Sequence, residues 1–361
     1  MICDLPNEII IQVVENAYYN QSGYPDHRTL HRLSAVSHQW TTCTQPLLWS
    51  FVNLRGSSTS ELLRFGDLVR DNGRLLKHVR ALSLSQPVVP CFKAFMGLFP
   101  HLYELRLSTT EMDLPNTVFE LPSLQSLVLE SWPTMSNVPF CLLQRTPNLR
   151  FLRLNSELAS PRVPADPPRF RLYELALRRM PREMALEWLR PALVESLEII
   201  DTFDAPSPPL EEAIERRAAH IRSVRVHVHN FLLAKMLKLC TALEEYKMNA
   251  LPKIGNLRGL PQTLQHLAFA NWANDPVLLV VEAVLALPNL RTVTHDTGAL
   301  EQPDFHFLQE ACRKRGFPIW NSEDAVEVEQ FPRTKSVSNL KLMRSSSTKV
   351  PSGAALNERV V

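Results

Sequence analysis

Two histidines, His227 and His229, stand two residues apart in the stretch RVHVHN and are the strongest candidates for metal chemistry in this sequence. Side chains two apart on a β-strand point to the same face, so both imidazoles could reach one zinc ion. No third ligand lies nearby in sequence. Two histidines on the solvent-facing side of a strand have the same spacing without binding a metal. We therefore predict no metal site and no cofactor.

The sequence also lacks the short motifs that mark common active sites. It contains no P-loop, no GxGxxG and no GxSxG, and only 10 glycines among 361 residues, so phosphate-cradling loops are scarce. The six cysteines stand alone without a CxxC pair, which is typical of proteins in a reducing compartment. We predict that the protein is not an enzyme and that it is cytoplasmic or nuclear.

Charge and hydropathy exclude two further classes of partner. The 39 basic and 37 acidic residues give a net charge of +2, which offers no general attraction for nucleic acid or an anionic membrane. The longest apolar run, VLLVVEAVLAL, contains Glu282 and is shorter than the roughly 20 residues of a membrane span. The start, MICDLPNEII, has no secretory-signal pattern. We predict neither a nucleic-acid partner nor a membrane partner.

One pattern of apolar residues repeats through most of the chain, from residue 78 onward. Each copy has apolar residues at its positions 1 and 4, and all but the last, LRTVTH, also have one at position 6; the ten copies begin at residues 79, 102, 124, 149, 172, 194, 221, 243, 264 and 290. Their spacing of 21 to 27 residues is that of leucine-rich repeats, roughly 20–29. Because positions 4 and 6 alternate with polar residues, each copy predicts a strand with one buried and one solvent-exposed face.

Helical stretches lie between several copies, for example PREMALEWL, NFLLAKMLKLC and DPVLLVVEAVLALPN, where Asp275 is expected to cap the helix. A strand-then-helix unit cannot bury its apolar face alone, but stacked units can. The sequence therefore predicts an α/β fold, with a curved leucine-rich-repeat-like solenoid over residues 78–320. It should have about ten parallel strands and helices on the convex side.

Positions 3, 5 and 7 of the copies are expected on the concave side of this sheet. Position 5 is rich in basic residues and includes Glu198 as its one acid, while Ile200 is expected as an apolar island. Such a face suits a protein segment that carries acidic or phosphorylated groups, although a merely solvated face would also be charged. The candidate substrate-binding residues are Arg106, Phe151, Arg153, Arg178, Arg225, His227 and Lys247.

The first fifty residues have a different pattern. DLPNEIIIQVVENAYY places Ile9, Ile10, Val13 and Val14 on one helical face, and TLHRLSAVSHQW and QPLLW follow. Two or three short helices over residues 1–50 are near the lower limit for a private core. They would gain from a partner surface, or they could cap the end of the solenoid. Residues 51–77 are expected to form a helical link.

The order LPNEII, LSAVSHQW and QPLLW resembles the F-box, and a terminal F-box followed by irregular leucine-rich repeats is similar to many fungal F-box proteins. This resemblance implies docking to the Skp adaptor of a Skp–cullin–F-box ubiquitin ligase, with the repeats holding an unknown substrate protein. The alternative is a leucine-rich-repeat scaffold without a ligase role. The expected adaptor contacts are Leu5, Pro6, Ile9, Ile10, Val13, Leu33, Val36, Trp40, Pro46, Leu47 and Trp49.

The end of the chain changes character again. Residues 321–361 hold few large apolar side chains and many serines and threonines, with six basic residues and one acid from Arg333 onward. Such a composition cannot bury enough apolar surface to fold, so we predict a disordered tail. Its RTKS and MRSSS strings resemble substrates of basophilic kinases.

Overall fold

A computed structural model describes most of the chain up to Ser322. The described residues are 5–18, 25–85, 96–108, 120–130, 140–155, 163–178, 183–203, 206–252, 257–271 and 274–322. The tail beyond residue 322 and its kinase-type strings lie outside the described residues, so the predicted disorder stays a prediction.

Twelve strands in the described residues form one open sheet, and each strand pairs in parallel with the next one along the chain. The α/β class and the parallel sheet are thereby confirmed, with two strands more than predicted. The strands are β1 Phe51–Leu54, β2 Ala81–Ser85, β3 Glu104–Ser108, β4 Ser126–Glu130, β5 Phe151–Asn155, β6 Glu174–Leu177, β7 Ile199–Thr202, β8 Ser223–Val228, β9 Glu245–Ala250, β10 His266–Phe269, β11 Thr292–His295 and β12 Ile319–Asn321.

The register of the sheet follows the sequence repeat in nine of the ten copies. At β7 the prediction is wrong by three residues, because Ile200 pairs with Leu175 and Val224 at position 4. That copy begins at Leu197, so Asp201 rather than Glu198 stands in the position-5 row. Ile200 is 1% exposed in the main core and is not an apolar island on the opposite face.

The two additional strands lie at the ends of the sheet. Strand β1 pairs Val52 with Leu82, so residues 51–77 are not wholly helical, and the sheet begins before residue 78. Strand β12 pairs Ile319 with Val293 and reaches residue 321. The sheet thus starts at Phe51, well before the limit of residue 78 predicted for the repeats, and ends at Asn321, one residue past the limit of residue 320.

Helices fill most of the described connections, because parallel strands need a crossover rather than a tight turn. From α4 onward, the apolar side chains of the helices form one continuous core with the apolar side chains of the strands, which places these helices against a single face of the sheet. The helices are α1 Asn7–Asn16, α2 His27–Ser34, α3 His38–Leu48, α4 Thr59–Asp71, α5 Gly73–Leu76, α6 Phe140–Gln144, α7 Glu183–Val194, α8 Pro208–Arg217, α9 Phe231–Leu237, α10 Leu278–Ala286, α11 Thr297–Leu300 and α12 Phe305–Arg315.

Local signals explain several helix ends. Ser58 and Glu61 form a reciprocal capping box at the start of α4, and Asn230 caps α9. Asp275 does not cap α10, which starts at Leu278 without a side-chain cap. Instead, the backbone N–H of Asp275 donates to Asn271 Oδ1 at 2.9 Å, which holds it in the preceding turn. No helix in the described ranges is both long and apolar enough to cross a bilayer.

Helices α1, α2 and α3 form a small bundle with a core of its own. Ile10, Val14, Tyr18 and Leu30 are buried there, apart from the main core of the sheet. The bundle meets the sheet at Ser50, whose carbonyl accepts from the backbone N–H of Ala81 at 2.8 Å. The Ser50 and Tyr18 hydroxyls are 2.7 Å apart. The bundle is therefore anchored beside β1 while keeping a separate core.

Candidate functional site

The α1–α3 bundle exposes apolar side chains that its own core does not use. Pro6, Ile9, Val13 and Val36 are all exposed, and Ile9 and Val13 retain 44% and 41% of their surface. Residues four apart lie on the same side of a helix, so Ile9 and Val13 form a short stripe. We call these four residues the docking surface.

The other expected adaptor contacts have different positions. The ones only partly exposed are Leu5, Leu33, Trp40, Pro46, Leu47 and Trp49. Ile10 is fully buried in the bundle core, so this side chain stabilises the bundle and cannot meet a partner. Trp49 packs against the main core, with its ring centroid 6.3 Å from that of Phe65. Trp49 therefore belongs to the junction with the repeats.

Hydrogen bonds hold the chain start on α3. The Gln39 side-chain amide donates to the Leu5 carbonyl at 2.7 Å and to Asn7 Oδ1 at 2.9 Å. The Ser37 hydroxyl accepts from the Trp40 backbone N–H at 3.4 Å and caps α3. Leu5 is thus held on α3 near Trp40, on the same bundle as the docking surface.

Helix α2 is held at its N-terminus by Asp26. Its carboxylate accepts from the backbone N–H of Thr29 at 3.0 Å and from the Thr29 hydroxyl at 2.8 Å. The backbone hydrogen bond is the main cause that lowers the pKa of Asp26. The cap is consequently charged, and fully formed, at neutral pH.

The second candidate surface is the sheet face opposite the helices, which we call the open face. Its position-5 row runs through Arg106, Val128, Arg153, Ala176 and Asp201, and continues to Arg225 and Lys247. The register therefore brings together the basic row that the sequence predicts. It also places Asp201 directly beside Arg225.

The open face is more buried than alternation of apolar and polar residues predicts. Glu104 and Glu245 are 1% and 0% exposed. Glu104 pairs with Arg106 at 2.6 Å, and Glu245 lies 3.4 Å from Arg225 in the adjacent strand. A buried carboxylate is stable only with such a partner. These arginines therefore stabilise the sheet, and the glutamates at position 3 are buried rather than exposed to solvent.

The seven predicted substrate-binding residues accordingly divide into two groups. Arg106 and Phe151 are only 9% and 2% exposed, so they support the face and offer little contact to a partner. The more accessible members are Arg153, Arg178, Arg225, His227 and Lys247. Arg178 lies 3.7 Å from Asp201, and the His227 ring stacks on Phe203 with centroids 4.0 Å apart.

Sequence reasoning missed three residues at these surfaces. Ile11 on α1 is 42% exposed, yet it falls outside the helical stripe of Ile9 and Val13. Arg55 follows β1, donates to Ser83 Oγ at 2.7 Å and pairs with Glu130 at 2.7 Å. The stretch WSFVNL before Arg55 fits the repeat pattern, which is the signal that could have placed Arg55 on the open face. Asp201 required the corrected register of β7.

The two histidines considered as zinc ligands, His227 and His229, lie in different environments. His227 stacks on Phe203, whereas His229 Nδ1 is 2.7 Å from the hydroxyl of Tyr246, a residue of the main core. Within the described ranges, no three histidine, cysteine, aspartate or glutamate side chains converge as a metal-binding group. The spacing of His227 and His229 thus does not give them a common environment.

His229 should make stability depend on pH. Its side chain is 4% exposed, and burial lowers its pKa from the ordinary 6.5. The unfolded state therefore binds the proton more readily, and we expect the free energy of unfolding to decrease as pH falls from 6.5 toward the folded pKa. Urea unfolding at pH 7.5, 6.5 and 5.5 measures this decrease, and His229→Asn should make it smaller. The exposed His220, replaced by asparagine, is the control; an equal change in both variants contradicts the assignment to His229.

A scan against protein-family models finds no matching family, and a search of the curated proteins finds no match.

Proposed function

We propose that the chain is a substrate-recognition adaptor of a Skp–cullin–F-box ubiquitin ligase, working in the cytoplasm or nucleus. The observation that carries this proposal is the bundle α1–α3. It bears the residue order LPNEII, LSAVSHQW and QPLLW, it has a core of its own, and it still exposes Ile9, Val13 and Val36. A surface of this kind favours a partner protein over water.

In this proposal the repeats hold the substrate protein. The basic residues of the open face that would contact acidic groups of a bound segment are Arg153, Arg178 and Lys247, which are exposed or half-buried. Arg106 pairs with the buried Glu104 within β3, and Arg225 pairs with the buried Glu245 between β8 and β9, so these two arginines stabilise the sheet. The chain then acts by positioning two proteins and needs no catalytic group of its own.

A second candidate is a repeat scaffold without a ligase role, in which the bundle only covers the end of the sheet. The contacts of Ser50 with Ala81 and Tyr18, and the packing of Trp49 on Phe65, favour such a cap. Solenoids need their terminal units covered. Capping does not, however, require the exposed stripe of Ile9 and Val13.

Direct binding separates the two candidates. The purified full chain is titrated with purified Skp adaptor in a calorimeter, with bovine serum albumin as the negative control. The proposal expects a saturable 1:1 isotherm with a dissociation constant at or below about 1 μM, equivalent to roughly −8 kcal/mol. Absence of binding would leave the scaffold as the better description.

A further inference from the structure

A cleft of about 660 Å³ lies at the edge of the sheet where β4 to β7 begin, and its lining includes no residue of the docking surface or of the position-5 row. Four arginines line it, Arg150, Arg169, Arg171 and Arg217, together with two glutamates, Glu195 and Glu198. The lining therefore carries a net of two positive charges, although the whole chain is nearly neutral. Concave, charged clefts of this kind concentrate ions of opposite sign.

The strand register gathers these side chains from separate repeats. The backbone N–H of Tyr173 donates to the Arg150 carbonyl at 2.8 Å, and that of Glu198 donates to the Tyr173 carbonyl at 3.0 Å. These three residues therefore stand side by side just before β5, β6 and β7. Adjacent strands are about 4.8 Å apart, so long side chains from neighbouring positions reach the same space.

The arginines in the cleft are engaged to different degrees. Arg171 pairs with Glu195 at 2.6 Å, and Arg217 Nε donates to the Leu197 carbonyl at 3.4 Å. Within the described part of the chain, Arg150 and Arg169 form no ion pair with a carboxylate. Arg150 instead lies 5.6 Å from the centroid of the Tyr173 ring, a cation–π contact that orients its guanidinium.

We propose that this cleft binds a phosphate monoester, held mainly by Arg150 and Arg169. The planar fork of a guanidinium matches the oxygens of a phosphate, and two forks can hold a dianion from two sides. The group could arrive on a free small molecule or on a phosphorylated protein side chain; the chemistry at the arginines is the same. Phosphate binding here does not depend on docking of the Skp adaptor.

Glu195 limits the affinity of this site. Its carboxylate occupies Arg171 and adds negative charge at the rim of the cleft. Replacing it with glutamine removes that charge and releases the Arg171 guanidinium toward the ligand. Glu195→Gln should therefore bind phosphate more tightly than the unaltered protein, an effect that a damaged fold would not produce.

The test titrates the full chain into a fluorescently labelled peptide that contains one phosphoserine between neutral residues, and binding is followed by fluorescence anisotropy. The same peptide without the phosphate, the unphosphorylated twin, is measured in parallel. We expect the phosphopeptide to bind at least tenfold more tightly than the twin. Arg150→Ala/Arg169→Ala should lower that affinity at least tenfold, and Glu195→Gln should raise it about twofold or more. Free O-phosphoserine is the competitor: displacement at similar concentrations identifies a small-molecule site, and displacement only by peptide identifies a protein ligand.

The matched control removes two arginines elsewhere. Arg70 on α4 and Arg313 on α12 are exposed and pair with Asp67 and Glu310. Arg70→Ala/Arg313→Ala changes the net charge equally and should leave phosphopeptide binding within twofold of the unaltered protein. The proposal is overturned if neither phosphoserine probe binds, if the cleft double variant binds like the control, or if Glu195→Gln weakens binding. Thermal melts of all variants confirm that each is folded.

Discussion

Ile9→Asp/Val13→Asp should reduce affinity for the Skp adaptor at least a hundredfold. The two exposed side chains together offer on the order of 100–150 Å² of surface, worth about 2.5–4 kcal/mol at roughly 25 cal/mol per Å². A loss of that size is about 70- to 900-fold in the dissociation constant, and buried carboxylates add a desolvation cost. Calorimetric titration with purified adaptor measures the change.

The control for this prediction lies on the same helix. Ile11 is 42% exposed, nearly as much as Ile9, but at about 100° per residue it points some 200° away from Ile9. Ile11→Asp should therefore change affinity less than fivefold. If Ile11→Asp is as damaging as the double variant, the effect comes from loss of the bundle and not from the docking surface.

A core substitution should have the second large effect. Leu127 in β4 is completely buried, and Leu127→Ala leaves a cavity that neighbouring side chains only partly fill. We expect a loss of about 3 kcal/mol in the free energy of unfolding, or roughly 6–12 °C in the melting temperature for a unit of this size. Urea unfolding followed by far-UV circular dichroism measures it.

Leu285 is the matched control for the core prediction. It is 61% exposed on α10, and alanine is at least as good a helix former as leucine. Leu285→Ala should therefore change the free energy of unfolding by less than about 0.5 kcal/mol. Equal losses in the two variants would mean that the sheet does not supply the main core.

Much of the sheet could be predicted from the sequence because its apolar positions repeat. The prediction fails where the residue types at the repeat positions, or the spacing between copies, depart from the pattern. At β7 two isoleucines are adjacent, and the buried sixth position of the observed copy is the polar residue Thr202. The copy that ends at Ile199 therefore matches the apolar pattern better, although the strand does not follow it. Strand β1 was not predicted because its copy begins at Trp49, 30 positions before Val79, which is longer than the spacing between the other copies. Strand β12 escapes because Gly316 begins its copy where the pattern expects an apolar residue.

The candidate sites were less predictable because they depend on neighbours distant in sequence. Alternation correctly assigns Glu245 to the open face, but only the pairing of β8 with β9 shows its burial beside Arg225. The helical stripe of α1 likewise gives no sign that Ile10 is shielded by the other helices while Val13 is not. The arginine cleft assembles residues from four repeats, and none of its four arginines stands at a position that the repeat pattern marks.

The sequential strand order also determines how this protein can fold during synthesis. Each strand pairs with the one made just before it, as Val52 does with Leu82 and Leu105 with Leu127. Partners 22 to 30 residues apart emerge within seconds of one another at the roughly 5–20 residues per second of translation. The sheet can therefore grow strand by strand on the ribosome, and closing each contact requires only a short loop. The growing sheet, however, always presents its newest strand as an unpaired edge, so the nascent chain should need chaperone protection at its C-terminal side throughout synthesis.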